Sequence, residues 1–368
     1  YGKNGYDSRS TTRNENTTAK LTAQYTKQFN NAHHLNALIG YSWNKWNYQT
    51  AFLDNYDFPT DDYSYNNMSA GNALKEGKAS ESSYQRLNKL IGYFVSLNYY
   101  YNGKYLVSAS LRHEGSSKFG ADHKWGNFPA ISLGWNIKNE SFLEKVDFLS
   151  ALKIRAGFGI TGTDPSNPYM SLNKLNLGGY GYFGGKYINL LRPDGNPNPE
   201  LRWEKKEEFN IGIDFGFLQN RITGSIDLYN RDTKDLIGTY QVPVPPYVSS
   251  TITANAGSIR NRGIEVALNF VPIQNKNFIW QSGINFSTNQ NKLLSLSNDK
   301  FVANSYSDEG HTLAPIQQTT HRIQEGEPIG NFYGYKSIDI DNNGHWIIEG
   351  ADGKPKPISD QQASDKKI

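Results

Sequence analysis

The sequence predicts an all-β chain folded as an antiparallel transmembrane β-barrel, and three observations carry that expectation. Apolar and polar residues alternate in run after run. Ile222, Gly224, Ile226 and Leu228 interleave with Thr223, Ser225, Asp227 and Tyr229; Phe278, Trp280, Ile284 and Phe286 interleave with Gln281, Gly283, Asn285 and Ser287. Successive side chains of a strand point to opposite faces, so each run has one greasy face and one wet face. Tight connections also alternate with long ones along the chain, the asymmetry of a barrel with short periplasmic turns and long extracellular loops. Finally, the faces opposite the apolar ones carry Gln281, Asn285, Asn289, Asn210, Asp214, Lys153, Arg155, Arg112 and Glu114. Charges pressed between two sheets of a soluble sandwich would be costly, whereas charges on a wet barrel lumen are ordinary.

The elements follow in order. The first strand is expected near 17–29, with Leu21, Ala23, Tyr25 and Phe29 on one face. An Asn30-Asn31 turn leads to 33–47, where Leu35, Ala37, Ile39, Tyr41 and Trp43 alternate with Asn36, Gly40, Ser42 and Asn44. Residues 48–85 read as a long polar and aromatic loop. Strand 86–101 places Ile91, Tyr93, Val95, Leu97, Tyr99 and Tyr101 outward and ends at Asn102-Gly103, a strong hairpin signal because both residues accept positive φ. Strands 104–113 and 128–138 flank another long connection, and 139–150 is a medium linker with room for a helical turn. Strand 151–161 opens a Gly/Asn/Pro-rich segment, 162–200. Strands 201–217 and 220–235 meet at Gln219-Asn220; a proline-containing loop reaches 258–271, and a turn over 272–277 opens 278–291. Beyond Leu296 a single strand is expected near 331–340. Tyr99 and Tyr101, and Phe278 and Trp280, sit beside tight turns, while Trp43, Trp46 and Trp203 lie towards the long-loop end, as interfacial aromatic rings should.

Composition agrees. A soluble chain of 368 residues would divide into two or three domains, but a large barrel is one. Charged residues are 20% and the net charge is +3, which gives no electrostatic footprint for nucleic acid. There is no cysteine, so disulfides and thiolate chemistry are excluded. No stretch approaches the roughly 20 apolar residues of a spanning helix. The chain opens on polar, loop-like sequence at Tyr1-Gly2-Lys3-Asn4, so the natural N-terminus is expected upstream.

Particular residues then match a known pattern. Arg112-His113-Glu114-Gly115-Ser116-Ser117-Lys118-Phe119-Gly120, Lys124-Trp125-Gly126-Asn127-Phe128-Pro129-Ala130 and Gly134-Trp135 resemble the signature of SusC/RagA-type TonB-linked outer-membrane transporters. So do Leu152-Lys153-Ile154-Arg155-Ala156 with Gly159-Ile160-Thr161-Gly162, Asn198-Pro199-Glu200-Leu201-Arg202-Trp203-Glu204-Lys205, Asn255-Ala256-Gly257 with Asn261-Arg262-Gly263-Ile264-Glu265, and Gly330-Asn331-Phe332-Tyr333-Gly334-Tyr335. Glu114 departs from the Asp more usual there. The resemblance implies a 22-stranded barrel in the Gram-negative outer membrane, plugged by an N-terminal domain. It implies import of oligosaccharides or peptides energised by an inner-membrane TonB complex, with a SusD-like surface lipoprotein as lid. Residues 1–368 would then be part of the barrel wall, the plug and the C-terminal strands lying outside this chain.

The residues themselves offer several candidate sites. Aromatic side chains in or beside the long loops suit ligand contact: Trp46, Tyr48, Tyr63 and Tyr65 in the first, Tyr180, Tyr182, Phe183 and Tyr187 in the third. The bland reading is that these rings pack on one another or on a lid protein. Arg112, Glu114 and Arg155 are expected to face the lumen; Arg112 and Glu114 either pair there or contact the plug, the bland alternative being that they shape the following loop. Gly115-Ser116-Ser117 precedes no helix pattern and is no phosphate cradle. Asp339, Asp341, Asn343 and Gly344 mimic half a calcium loop, but the twelfth position is Gly350, so an Asn-Gly turn is expected and no metal site. His113, His123, Asp122 and Glu114 fit no zinc spacing. No nucleophile–base arrangement and no cofactor motif stand out, so the chain reads as no enzyme. The rivals to an energised importer are a passive porin or barrel-anchored adhesin, and a secreted soluble sandwich.

Overall fold

Two-residue periodicity, sustained over ten runs, builds a single antiparallel sheet. The computed structural model describes residues 4–62, 64, 66–298, 300, 306–314 and 317–367. Its wall strands are β1 (Tyr6–Phe29), β2 (His33–Tyr56), β3 (Ser80–Tyr101), β4 (Tyr105–Ser116), β5 (Trp125–Asn136), β6 (Leu149–Thr163), β7 (Glu204–Phe217), β8 (Ile222–Lys234), β9 (Ser258–Gln274) and β10 (Ile279–Ser295). Each pairs with its neighbour in sequence, so the 10-stranded sheet is an open meander with β1 and β10 at its edges.

The turns at one end are short because their residues supply the geometry. Asn30 has φ +50° and its Oδ1 accepts the Ala32 N–H at 3.1 Å. Asn102 and Gly103, at φ +50° and +66°, make the hairpin their sequence announces. Leu218, Gln219 and Asn220 are all left-handed, and Asn275 Oδ1 accepts the N–H groups of Asn277 and Phe278 at 3.0 and 2.8 Å. The medium linker begins with a 3₁₀ turn, Ile137–Asn139, two residues ahead of the expected range. Glu140 ties this turn to its neighbour, accepting from Lys104 Nζ at 2.8 Å, Tyr105 OH at 2.7 Å and Trp135 Nε1 at 3.0 Å.

Register sorts the residues into two faces. Tyr25, Ala37, Leu97, Ala109, Ile131, Phe158 and Phe209 form one continuous row across seven strands, and Leu133, Ala156, Ile211, Leu228 and Ile264 form the next. The opposite face reads Asn36, Asn98, Ser108, Ser132, Gly157 and Asn210. Aromatic rings bound the apolar band at both levels. Beside the tight turns, Tyr101 meets Tyr105 and Tyr105 meets Trp135, at 6.2 and 6.4 Å between centroids. At the upper level Tyr41 lies 5.4 Å from Tyr93, and Trp125 stacks on His113 at 4.6 Å. Trp125 and Trp135 close the two ends of β5, about 34 Å apart along the strand and roughly 26 Å along an axis tilted by about 40°. That matches the apolar band of a membrane barrel, ~25 Å tall.

Above the upper girdle the structure departs from several expectations. β1 and β2 are 24 residues long and β3 is 22, so each runs about 75–80 Å, far more than a bilayer needs. Residues 48–56 and 80–85, expected in a loop, are strand, and β1 begins at Tyr6 instead of near residue 17. Outside lipid both faces of a strand are wet, so its alternation fades although the ladder continues. The connection between β4 and β5 is only 117–124. Segment 164–203 contains its own hairpin, Leu175–Phe183 with Lys186–Pro193. Beyond β10 the expected strand over 331–340 is broken into Gly334–Tyr335 and Ser337–Ile340.

Trp203 is not an interfacial ring. It is 5% exposed, at the centre of a buried cluster with Phe119, Phe128 and Leu201 at the rim. Its indole N–H donates to the Lys124 carbonyl at 2.9 Å, and the Phe119 and Phe128 rings lie 4.9 and 5.2 Å away. Buried asparagines fasten the same segment. Asn255 exchanges bonds with the Arg202 backbone at 2.9 and 2.7 Å, and Asn198 Nδ2 donates to the Thr253 carbonyl at 2.8 Å. Motifs far apart in sequence therefore converge in one knot that closes the rim.

Candidate functional site

The polar face of the wall holds the residues with chemistry to offer. Arg112 Nε donates to Glu114 Oε2 at 2.9 Å, its Nη2 reaches Glu114 Oε1, and Nη2 also donates to Ser42 Oγ at 3.2 Å. The Arg112–Glu114 ion pair is formed. The guanidinium lies 5.7 Å from the Phe94 ring centroid, and Lys20 Nζ lies 5.4 Å from the same ring. Phe94 lies flat across Gly40, where a Cβ would come within 2.1 Å of its Cζ. Only glycine leaves room for a ring laid along the sheet.

A second cluster spans β6, β7 and β8. Arg155 Nε meets both carboxylate oxygens of Asp214 at 3.2 and 3.1 Å, and its Nη1 and Nη2 reach Asp227 at 2.6 and 2.7 Å. Asp227 sits two strands away from Arg155 and was legible in sequence only as one more polar alternate. Between the two clusters the face is lined by Ser96, Ser108, Ser110, Ala130, Ser132 and Gly157, a shallow trough of about 370 Å³. Small residues there make the wall recede.

The aromatic candidates separate. Trp46 and Tyr48 stand on β2 and not in a loop, both on the polar face, with rings 5.7 Å apart and 21° from parallel. Tyr84 of β3 extends this ladder at 5.8 Å from Tyr48. Neither Tyr84 nor the neighbouring Arg86 is singled out by the sequence: Tyr84 falls in the stretch read as loop, and Arg86 is the first residue of the strand expected over 86–101. Tyr180 and Tyr182 lie on the separate hairpin, 73% and 68% exposed, with Tyr182 packed on Tyr187 at 5.2 Å. No ring contact joins this hairpin to Trp46 and Tyr48 among the described residues. Tyr63 and Tyr65 lie outside the described residues.

Other constellations dissolve in three dimensions. His113 stacks on Trp125 on the apolar face and bonds Asn127 Oδ1 at 2.7 Å, while Glu114 points to the polar face and His123 lies 3.7 Å from Glu200. Ser116 Oγ donates to Asp164 at 2.9 Å. Asp341 Oδ1 accepts the backbone N–H groups of Asn343 and His345 at 2.8 and 2.9 Å, closing the Asn-Gly turn with Gly344 at φ +84°. Those N–H groups, that of His345 first, hold the Asp341 carboxyl below its usual range. Among the described residues no three His, Asp or Glu side chains gather as a metal would require.

Comparison with known proteins places this wall. The family profile described as "TonB dependent receptor-like, beta-barrel" matches residues 1–347. The chain belongs to the TonB-dependent receptor family. Its relatives there are of the SusC/RagA type, and the sheet is outer-membrane barrel wall. TonB-dependent receptor P39 of Formosa agariphila is 36% identical over 86% of this chain, covering 28% of that protein. TonB-dependent receptor SusC of Bacteroides thetaiotaomicron is 36% identical over 74% of this chain, again 28% of the relative. A structure of the RagAB peptide importer in its closed-closed state superposes with a TM-score of 0.82 at 22% identity, over 98% of this chain and 38% of that one, which shows the shared fold. The chain therefore spans about a third of the length of the receptors it matches. In this TonB-dependent receptor the motif residues Phe119, Phe128, Asn198, Leu201, Trp203 and Asn255 build the rim knot, and Arg112 and Arg155 carry the charge clusters of the wall.

Proposed function

We propose that this chain supplies an arc of the wall of an energised outer-membrane importer of oligosaccharides or peptides, working with a SusD-like lipoprotein lid. The observation that carries the reading is the family match over residues 1–347 on a sheet whose two faces are those of a wet-bored barrel. In this reading the polar face, with Arg112, Glu114 and Arg155, looks into the bore. The trough of small residues gives a plug, supplied elsewhere in the protein, room to seat and move. Trp46, Tyr48, Tyr180 and Tyr182, with Tyr63 and Tyr65, stand at the extracellular end, where ligand or lid arrives.

RagAB is a peptide importer, but at 22% identity the likeness is one of fold and favours neither cargo for this chain. Uptake by cells carrying the full-length protein tests the reading. Removing TonB should abolish uptake while surface binding of ligand persists. Uptake that continues unchanged without TonB would make the protein a passive porin, and binding with no uptake in either strain would make it an adhesin.

A further inference from the structure

Three strands stand clear of the bilayer, and their polar face is built unlike the rest of the wall. Trp46 and Tyr48 of β2 and Tyr84 of β3 form a ladder with steps of 5.7 and 5.8 Å. Asn14 lies opposite Tyr48, and Asn16 and Asn88 lie opposite Trp46. Below them Asn44 Nδ2 donates to Asn16 Oδ1 at 2.5 Å and Thr18 Oγ1 at 2.9 Å. The floor is thus a line of aromatic rings flanked by amides and hydroxyls.

The charge on this floor is unbalanced. Arg86 lies opposite Tyr48 in the register, with its guanidinium 5.1 Å from the Tyr84 centroid and Nη1 donating to Asn167 Oδ1 at 2.9 Å. Among the described residues it meets no carboxylate. The other arginines on the polar face are taken: Arg112 by Glu114, Arg155 by Asp214 and Asp227, Arg231 by Glu208. Neither β1–β2 nor β2–β3 contains a bulge, so the faces are strict over their whole length. On the polar face of these three strands the cations are Lys20 and Arg86, and the one carboxylate is Asp54, six positions above Tyr48 on β2, or about 20 Å. A guanidinium fixed by a ring and a neutral amide, with its own charge unmet, suits an oxyanion.

We propose that Trp46, Tyr48, Tyr84 and Arg86 form a binding platform for an anionic oligosaccharide, whose sugar rings stack on the aromatic ladder while a carboxylate or sulfate pairs with Arg86. The inference rests on the reading above that Trp46 and Tyr48 meet the imported ligand, and it adds the charge and class of that ligand. A peptide is the less suited occupant. Peptides bind sheets chiefly by adding a strand at an open edge, and β2 is bonded on both sides over the whole ladder. What the face offers is ring surface and side-chain amides, which match the apolar faces and hydroxyls of a pyranose.

Calorimetry on the detergent-solubilised full-length receptor tests this with an oligogalacturonate, a sulfated galactan oligosaccharide of the same length, neutral maltohexaose and an acidic peptide. At least one anionic sugar should bind more tightly than maltohexaose, and which one binds identifies carboxylate or sulfate as the recognised group. Arg86→Gln should weaken that sugar about tenfold or more, with Arg86→Lys between the two. Trp46→Ala and Tyr48→Ala should weaken every sugar that binds, and Gln85→Ala, on the opposite face, should change nothing. If Arg86→Gln leaves the anionic sugars unaffected while Trp46→Ala still weakens maltohexaose, the anionic platform is overturned and ligand contact at these rings stands. If neither ring variant alters binding of any sugar, the ligand-contact reading falls and takes the platform with it. Tight binding of the peptide alone, sensitive to Arg86→Gln, would overturn the assignment to sugars.

Discussion

Arg155 and Asp227 face each other across an intervening strand, joined over Gly212. Arg155 on β6 and Asp227 on β8 are both opposite Gly212 of β7, and a Cβ there would lie 2.5 Å from Asp227 Oδ1 and 2.7 Å from Arg155 Cζ. The glycine clears the path for a bridge that staples three strands, with Asp214 accepting from the same guanidinium.

Removing the cation should therefore leave two carboxylates on one small patch. Arg155→Met is expected to lower barrel stability by about 1–2 kcal/mol, the modest end of the range for charge-assisted bonds because the group is partly open to water. Adding Asp214→Asn should recover part of the loss, since it removes the repulsion. Thermal unfolding of the full-length receptor and its variants measures both, and equal stability of the single and double variants would refute the coupling.

Gly40→Val tests the ring laid over the wall. The new side chain must displace Phe94 from between Lys20 and Arg112, at a cost of about 1–3 kcal/mol from overpacking. Phe94→Ala made together with Gly40→Val should relieve the clash, so the double variant should be more stable than the sum of the single changes allows.

How far the sequence carries depends on which solvent surrounds each strand. Within the membrane, lipid on one face and water on the other force alternation, so Ile131, Leu133 and Trp135 could be assigned a face from spacing alone. Above the membrane that contrast is gone. Thr11, Arg13 and Glu15 point one way and Thr12, Asn14 and Asn16 the other, all polar, and β1 could not be seen to continue. Tyr84 was missed for this reason, and Arg86, at the very start of the expected strand 86–101, had no visible neighbour to pair with. Asp214 and Asp227 could be given a face but not paired with Arg155: the bridge to Asp227 crosses two strand boundaries and the whole 164–203 segment. Trp203 was misplaced because a buried rim ring and an interfacial ring look alike in a list of aromatics.

Acid should loosen the tight-turn end first at Glu140. The Lys104 ammonium foremost, with Tyr105 OH and Trp135 Nε1, holds its carboxyl down to about 2 from an ordinary 4.5. A folded-state pKa below the unfolded one gives stability that is fully present above about pH 4.5 and is lost as pH falls towards 2. Hydrogen-exchange protection factors, in which the intrinsic pH dependence of exchange is divided out, should therefore fall across that window in the 102–104 and 137–148 turns of the native receptor. Glu140→Gln should remove the step, leaving protection that is already lower at neutral pH and flat on acidification; an unchanged step in that variant would assign it to another group.

The assignment of faces itself is open to a paired test on adjacent residues of β5. Leu133 lies on the apolar face, in the row with Ala156, Ile211 and Leu228, and Ser132 lies on the polar face beside Ser108 and Gly157. Both lie within the apolar band between Trp125 and Trp135, towards its Trp135 end. An arginine at 133 must place its charge among lipid tails, which costs about 1–2 kcal/mol at this depth, between the midplane and the Trp135 girdle. An arginine at 132 enters a wet bore with small neighbours and should cost little. Leu133→Arg is thus expected to reduce assembled barrel in the outer membrane severalfold, while Ser132→Arg assembles at native levels. Because the two positions differ only in which way the pleat turns them, the reverse result would mean that the greasy face looks inward, and that no arrangement of this sheet lines a water-filled passage.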